Sequence, residues 1–219
     1  MRPSLKLVAC SLIALGCAGC VSVNSYVEDG HNLADFHDLH GNGQPQPVRV
    51  VVEFKSNGQR QPKLDPRVYN TVVEVLQHTK VLAPVSGDPG TTLKIVIDDR
   101  YDDDQARGEG METGMTFGVA GVKARDDYHF FMTLQGSTGA PRVGSYRHAM
   151  ITVGGRASKT PPSYGQPLSA DNAFDVIVKQ SVLEFLANIQ AAGDEPVIFV
   201  PDSGLPDNQA PRQDHFTPK

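Results

Sequence analysis

The 219 residues contain no tryptophan and only three cysteines, none of them after Cys20. A disulfide within the body of the chain is thereby excluded, as is a structural zinc site built on two cysteine pairs. The 20 lysines and arginines form no cluster and are outnumbered by 25 acids, which argues against a nucleic-acid surface. Long apolar runs are also missing. The stretch from Leu7 to Leu15 falls far short of the roughly 20 residues that a helix needs to cross a bilayer. No G-x-S-x-G, S-x-x-K, H-E-x-x-H or glycine-rich phosphate loop occurs, so the sequence reads as a non-enzyme that carries no cofactor.

What is present near the start has a clear order. Arg2 and Lys6 give a short positive region, Leu7 to Leu15 follows uncharged, and small residues then lead into Cys17 and Cys20. Cys17-Ala18-Gly19-Cys20 has the C-x-x-C spacing of thiol oxidoreductases, but such a site opens a helix inside a folded domain. Here it ends a leader. This segment resembles a bacterial lipoprotein signal with its lipobox, in which a small residue precedes a modified cysteine. Cys17, preceded by Ala14, Leu15 and Gly16, fits better, and Cys20 is the alternative. The resemblance implies a Gram-negative lipoprotein whose cysteine carries diacylglycerol and palmitate-type chains. Several chains make a lasting membrane anchor where one would be marginal. Neither Ala18 nor Val21, the residue after each cysteine, is the aspartate that retains such proteins at the inner membrane. The implied place is the outer membrane, facing the periplasm.

The expected organisation is a signal peptide over 1–16, a lipidated N-terminus and tether over 17–47, a domain over 48–190, and a proline-rich tail over 191–219. Val48 to Phe54 is dense in β-branched residues and Asn57-Gly58 supplies a turn. Asp65-Pro66 reads as N-cap and first helical residue, and Val68, Val72, Val75, Leu76 and Thr79 fall at helical spacing through 79. Val81 to Val85 reads as a short strand, and Leu93, Ile95 and Ile97 mark another. Tyr128 to Leu134 and Arg142 to Val153 form a hairpin around a glycine-rich turn. Ser169 caps a long helix with Phe174, Ile177, Val178, Ser181, Val182, Phe185 and Ile189 on its buried stripe. Val197 to Val200 is short enough to add only an edge strand.

These elements predict an α+β domain: a mostly antiparallel sheet of about five strands with two helices packed on one face. That layout behind a lipobox resembles the small periplasmic lipoproteins that act as accessories to envelope machines, among them auxiliary lipoproteins of transport systems and the lipopolysaccharide-assembly lipoprotein. Thr113-Gly114-Met115-Thr116-Phe117-Gly118 is also similar to a stretch that recurs in an uncharacterised family of Gram-negative lipoproteins.

Three segments carry candidate chemistry. His31, Asp35, His37, Asp38 and His40 supply imidazole and carboxylate, ligand types that zinc and copper accept, with His37 and His40 sharing a face if helical. Their spacing matches no common ligand rule, so a polar tether is the better account. Asp98, Asp99, Asp102, Asp103 and Asp104 offer hard oxygens suited to calcium, Asp102 and Asp104 foremost. They lack the spacing of a calcium loop and read as a solvated acidic loop. Gly110 to Val122 sets Met115, Phe117 and Val119 between glycines, without charge from Thr113 to Val122. It reads as a loop folded over the sheet, or as a docking surface for a partner or membrane. His129 and His148, with Asp126, Asp127 and either Ser145 or Thr133, suggest hydrolysis, but a solvated cross-strand pair accounts for the two histidines. The expectation is a non-catalytic accessory, assembly or binding module of the envelope with a protein partner. The alternative is an immunity or inhibitor lipoprotein whose acidic charge and glycine-rich loop plug a toxin or hydrolase.

Overall fold

Alternating apolar residues on four long strands build a sheet that buries one face beneath two helices. The computed structural model describes residues 23–28, 39–41, 43–101, 122–154, 166–192 and 198–199. In chain order the elements are β1 (Val23–Val27), β2 (Gln46–Ser56), β3 (Gln59–Arg60), α1 (Asp65–Thr79), β4 (Leu82–Pro84), β5 (Thr92–Arg100), β6 (Val122–Gln135), β7 (Arg142–Gly154), α2 (Ala170–Ala191) and β8 (Ile198–Phe199). The sheet order is β1-β7-β6-β5-β2-β3, with β4 added to β2 and β8 to β7.

The architecture is mixed α+β with both helices on one face. Two details depart from the expected sheet: there are eight described strands, several very short, and the centre is not antiparallel. β2 and β5 are adjacent and parallel, in register from Arg49 opposite Thr92 to Ser56 opposite Asp99. Parallel neighbours need a long crossover, and α1 supplies it. Apolar periodicity marks each strand but is blind to strand direction.

The inner face carries Val48, Val50 and Phe54 of β2, Leu93, Ile95 and Ile97 of β5, and Tyr128, Phe130, Met132 and Leu134 of β6. Against it pack Val68, Val72, Val75 and Leu76 from α1 and Phe174, Ile177, Val178, Val182, Phe185 and Ile189 from α2, in one core. Both helical stripes are those expected. Ser169 caps α2, its hydroxyl accepting from the Asn172 N–H at 3.2 Å. The Asn57-Gly58 turn is a two-residue hairpin with both residues at positive φ, 46° and 77°, as a type I′ turn requires.

The residues assigned to the tether contribute structure. Val23–Val27 pairs antiparallel with β7, from Val23 opposite Gly154 to Val27 opposite Met150. Ser25 then exchanges two backbone hydrogen bonds with Leu168, both 2.9 Å, which covers the free edge of β1. Leu39–Gly41 docks at the end of α1, where the Gly41 N–H reaches the Thr79 carbonyl at 2.9 Å. A polar-looking strand of this kind is stabilised by the neighbour whose ladder it completes, so its own sequence announces it weakly. Ile198–Phe199, within the expected brief edge strand, pairs parallel with β7 at Val143 and Gly144.

Asp65 is not the N-cap. That position is Leu64, which makes no side-chain cap. The Asp65 carboxylate is used elsewhere: Oδ1 accepts the Phe54 N–H at 2.9 Å and an Arg60 Nη1 hydrogen at 2.7 Å. Arg60 Nη2 adds a second, short bond to Oδ2. A carboxylate thus takes the place of a neighbouring strand at the edge of β2 and fastens α1 to it. The Arg60 hydrogen bond holds the Asp65 carboxyl below its ordinary range; burial opposes this, and the Phe54 N–H reinforces it. A depressed carboxyl stabilises the fold above the unfolded-state range, and that stability is lost as pH falls through the folded value. Asp65→Asn is expected to cost about 1–3 kcal/mol at neutral pH in urea unfolding, and less in acid.

Candidate functional site

The strand ends of β5 and β6 bring Asp98, Asp99, Asp126 and Asp127 to one end of the sheet. The register sets Asp98 opposite His129, Asp99 opposite Tyr128 and Arg100 opposite Asp127. Successive residues of a strand point to opposite faces, so the four carboxylates separate into two pairs. Asp98 and Asp127 go to the outer face, Asp99 and Asp126 to the inner face under the helices.

The outer pair is neutralised. Asp98 accepts the Gly58 N–H at 2.8 Å and the Arg100 Nε–H at 2.9 Å. Burial resists its ionisation, yet those two bonds outweigh it and hold the carboxyl below its usual range. Asp127 accepts from Arg125 Nε at 3.0 Å, and Arg125 also reaches Glu28 at 2.8 Å. That pairing with Glu28, then with Asp127, raises the Arg125 guanidinium still further. Arg125 therefore bonds β1's end to β6 across the intervening β7.

Among the described residues no such cation pairs with the inner acids. Asp99 Oδ1 is buried and has no hydrogen-bond partner among the described residues. Burial first, then the charges of Asp126, Asp98 and Asp127, push the Asp99 carboxyl up to about 7. Asp126 is raised as well, by burial and by Asp127. Tyr128 lies between them, its phenol held well above its ordinary range by burial and by Asp99 and Asp126. Its ring meets Phe174 at 5.4 Å, and Phe174 in turn carries the Arg67 guanidinium at 5.2 Å. Arg67 is committed to Asp171 and Asp175 of α2. What this arrangement does chemically is hold a proton on a carboxyl near neutrality.

The acidic run is therefore not a solvated loop where it is described: Asp98 and Asp99 belong to β5 and are mostly shielded from water. Asp102 and Asp104 lie outside the described residues, as do His37, Met115, Phe117, Val119, Cys17 and Cys20. Val122, the last residue of the expected loop, opens β6. Among the described residues no group of three or more His, Cys, Asp or Glu is placed to hold a metal.

The two strand histidines do not form a solvated pair. His148 is opposite Tyr128 and His129 is opposite Arg147, so they point to opposite faces of the sheet. His148 is 5% exposed and packs edge-on to Phe130 at 6.1 Å. His129 is on the outer face beside Asp98; burial and then the charges of Arg100 and Arg147 lower its pKa. Thr133 and Ser145 follow His129 on that outer face, away from His148 and Asp126. No hydrolytic constellation is assembled from these residues.

The rest of the outer face is partly open. Phe131 is 45% exposed and Val51 37% exposed, with Val96 between their strands. Lys94, Glu53 and Lys55 flank them, Glu53 bridging Lys55 at 3.3 Å and Lys94 at 3.6 Å. No apolar signal in the sequence separates Phe131 from the buried Phe130 beside it; only the strand's parity does.

The inner acids have an opposite pH signature to Asp65. A carboxyl raised in the folded state favours folding when protonated, so its contribution is fully present below the unfolded-state range near 3.8. It is lost as pH rises through about 7. Asp99→Asn is therefore expected to stabilise the protein at pH 8 by on the order of 1–3 kcal/mol, and to change little at pH 4. Chemical denaturation across that range checks both ends.

No family model matches the chain, and no curated protein does. Among solved structures, a PelC dodecamer from Paraburkholderia phytofirmans is similar at 13% identity and a TM-score of 0.34, over 76% of this chain and 96% of that one. A point variant of the same PelC gives the same identity and TM-score over 97% of its length. A protein described only as uncharacterized is 14% identical, with a TM-score of 0.27, over 69% of this chain and 92% of that one. TM-scores this low do not establish a shared fold.

Proposed function

We propose that this chain is a lipid-anchored lipoprotein of the outer membrane, facing the periplasm, whose α+β domain is a non-catalytic accessory or assembly module for an envelope protein. The order of charge, apolar run, small residues and cysteine supports the reading: it ends at Cys17, and no cysteine follows Cys20. No helix among the described residues is long and apolar enough to cross a membrane.

The position of β1 carries the reading further. This strand begins at Val23, only six residues after Cys17. Six extended residues reach at most roughly 20 Å. A lipid on Cys17 would therefore hold the sheet close to the bilayer and not at the end of a long leash. A partner bound there is membrane-proximal, and the outer face with Phe131 and Val51 is the surface the domain offers it.

Metabolic labelling with palmitate in a Gram-negative host tests the anchor. Cys17→Ser is expected to abolish the label and leave an unprocessed precursor, whereas Cys20→Ser is processed normally. The reverse pattern would move the anchor to Cys20, and label on neither would end the lipoprotein reading. For the partner, Phe131→Glu should leave urea stability within about 0.5 kcal/mol, since the ring is half exposed. The same change should sharply lower recovery of a stoichiometric envelope protein in cross-linked pull-downs.

A further inference from the structure

Two imidazoles far apart in sequence meet at the end of α1. His78 stands in the last turn of the helix, and His40 belongs to the short segment Leu39–Gly41 docked beside it. Both are exposed, their ring centres are 6.1 Å apart, and the planes are tilted by 54°. We infer that His40 and His78 form a two-imidazole site for a borderline divalent cation, Zn²⁺ or Cu²⁺.

The separation is the first argument. Imidazole binds these metals at about 2.0–2.1 Å, and adding ~1.1 Å from ring nitrogen to ring centre places a bridging ion about 3.2 Å from each centre. Two rings sharing one ion then lie about 5.2 Å apart at a tetrahedral angle and about 6.4 Å apart in a trans arrangement. The observed 6.1 Å lies between the two, so the exposed rings close onto one ion by a small side-chain rotation. Rings in flat contact would be closer and parallel.

Preorganisation is the second. The backbone that presents His40 is fixed on three sides. Leu39 packs against the core, the His40 carbonyl accepts from Gln190 Nε2 at 3.1 Å, and the Gly41 N–H donates to Thr79 at 2.9 Å. Gly41 is required there, because a Cβ would lie 2.2 Å from the Lys80 carbonyl oxygen. His78 is held by a helix whose neighbours, Val75, Leu76 and Thr79, are buried. The two rings therefore meet without ordering a loop first.

Charge is the third. The carbonyl end of a helix favours a cation near its last turn. Lys80, in left-handed conformation at the C-cap, is the nearby charge that opposes one. Among the described residues no third His, Cys, Asp or Glu completes a three-ligand group.

The full-length mature protein is titrated with ZnCl₂ and, separately, with CuCl₂ by calorimetry, and Cu²⁺ broadening of backbone amide signals locates the ion. Losing a direct ligand should cost at least the roughly tenfold in affinity that loss of an outer partner costs. His40→Ala and His78→Ala are each expected to do so while keeping the wild-type amide spectrum, since both side chains are exposed. Broadening should centre on residues 39–41 and 76–80. Wild-type affinity in either variant, or broadening centred elsewhere, overturns the site. Gly41→Ala, which displaces the His40 backbone but retains both histidines, should also weaken binding; unchanged affinity there, with the segment visibly shifted, counts against the preorganised geometry.

Discussion

Ile95, Ile97, Phe130 and Met132 are fully buried beneath α1 and α2, and a strand has no freedom to send neighbouring side chains elsewhere. Once those four positions point inward, Asp99 and Asp126 must follow them and Asp98 and Asp127 must not. Each fully buried side chain of this size contributes about 1.5–3 kcal/mol, enough together to turn two carboxylates inward, away from Arg100 and Arg125. Parity fixed by apolar burial thus sets the electrostatics at the sheet end. It also turns Phe131, Val51 and Val96 outward, leaving an open apolar patch framed by Lys94, Glu53 and Lys55.

The same burial explains how the edges are handled. β2 would be an edge strand along its whole length, but β4 covers its start, β3 its end, and the Asp65 carboxylate takes the Phe54 N–H between. At the other side β1 completes β7 and is itself covered by Leu168. Short segments, a carboxylate and a two-residue bridge close a sheet that would otherwise offer ladders to other chains. With β1 starting at Val23, a lipid on Cys17, as proposed, would hold the sheet close to the bilayer.

The sequence made the helices plain because their signal is periodic and local. Val68, Val72, Val75 and Leu76, and Phe174 through Ile189, each repeat at the spacing of one helical face, whatever they pack against. Ser169 as a cap and Asn57-Gly58 as a turn are local as well. Less legible was Asp65, which with Pro66 reads as a cap while its carboxylate is claimed by Phe54 and Arg60 from outside the helix.

What the chain by itself determined was the two helices and the long strands, the apolar stripe of each, and the mixed α+β class, all consequences of side-chain periodicity. Tertiary structure alone decided the parallel pairing of β2 with β5, because direction leaves no mark in a hydrophobic pattern. It decided that His129 and His148 face opposite ways, since a one-residue offset in the hairpin register exchanges the faces of the sheet. It also decided which acids pair with Arg100 and Arg125, and that His40 meets His78. Those are contacts between residues distant in sequence, and only the folded chain brings them within reach.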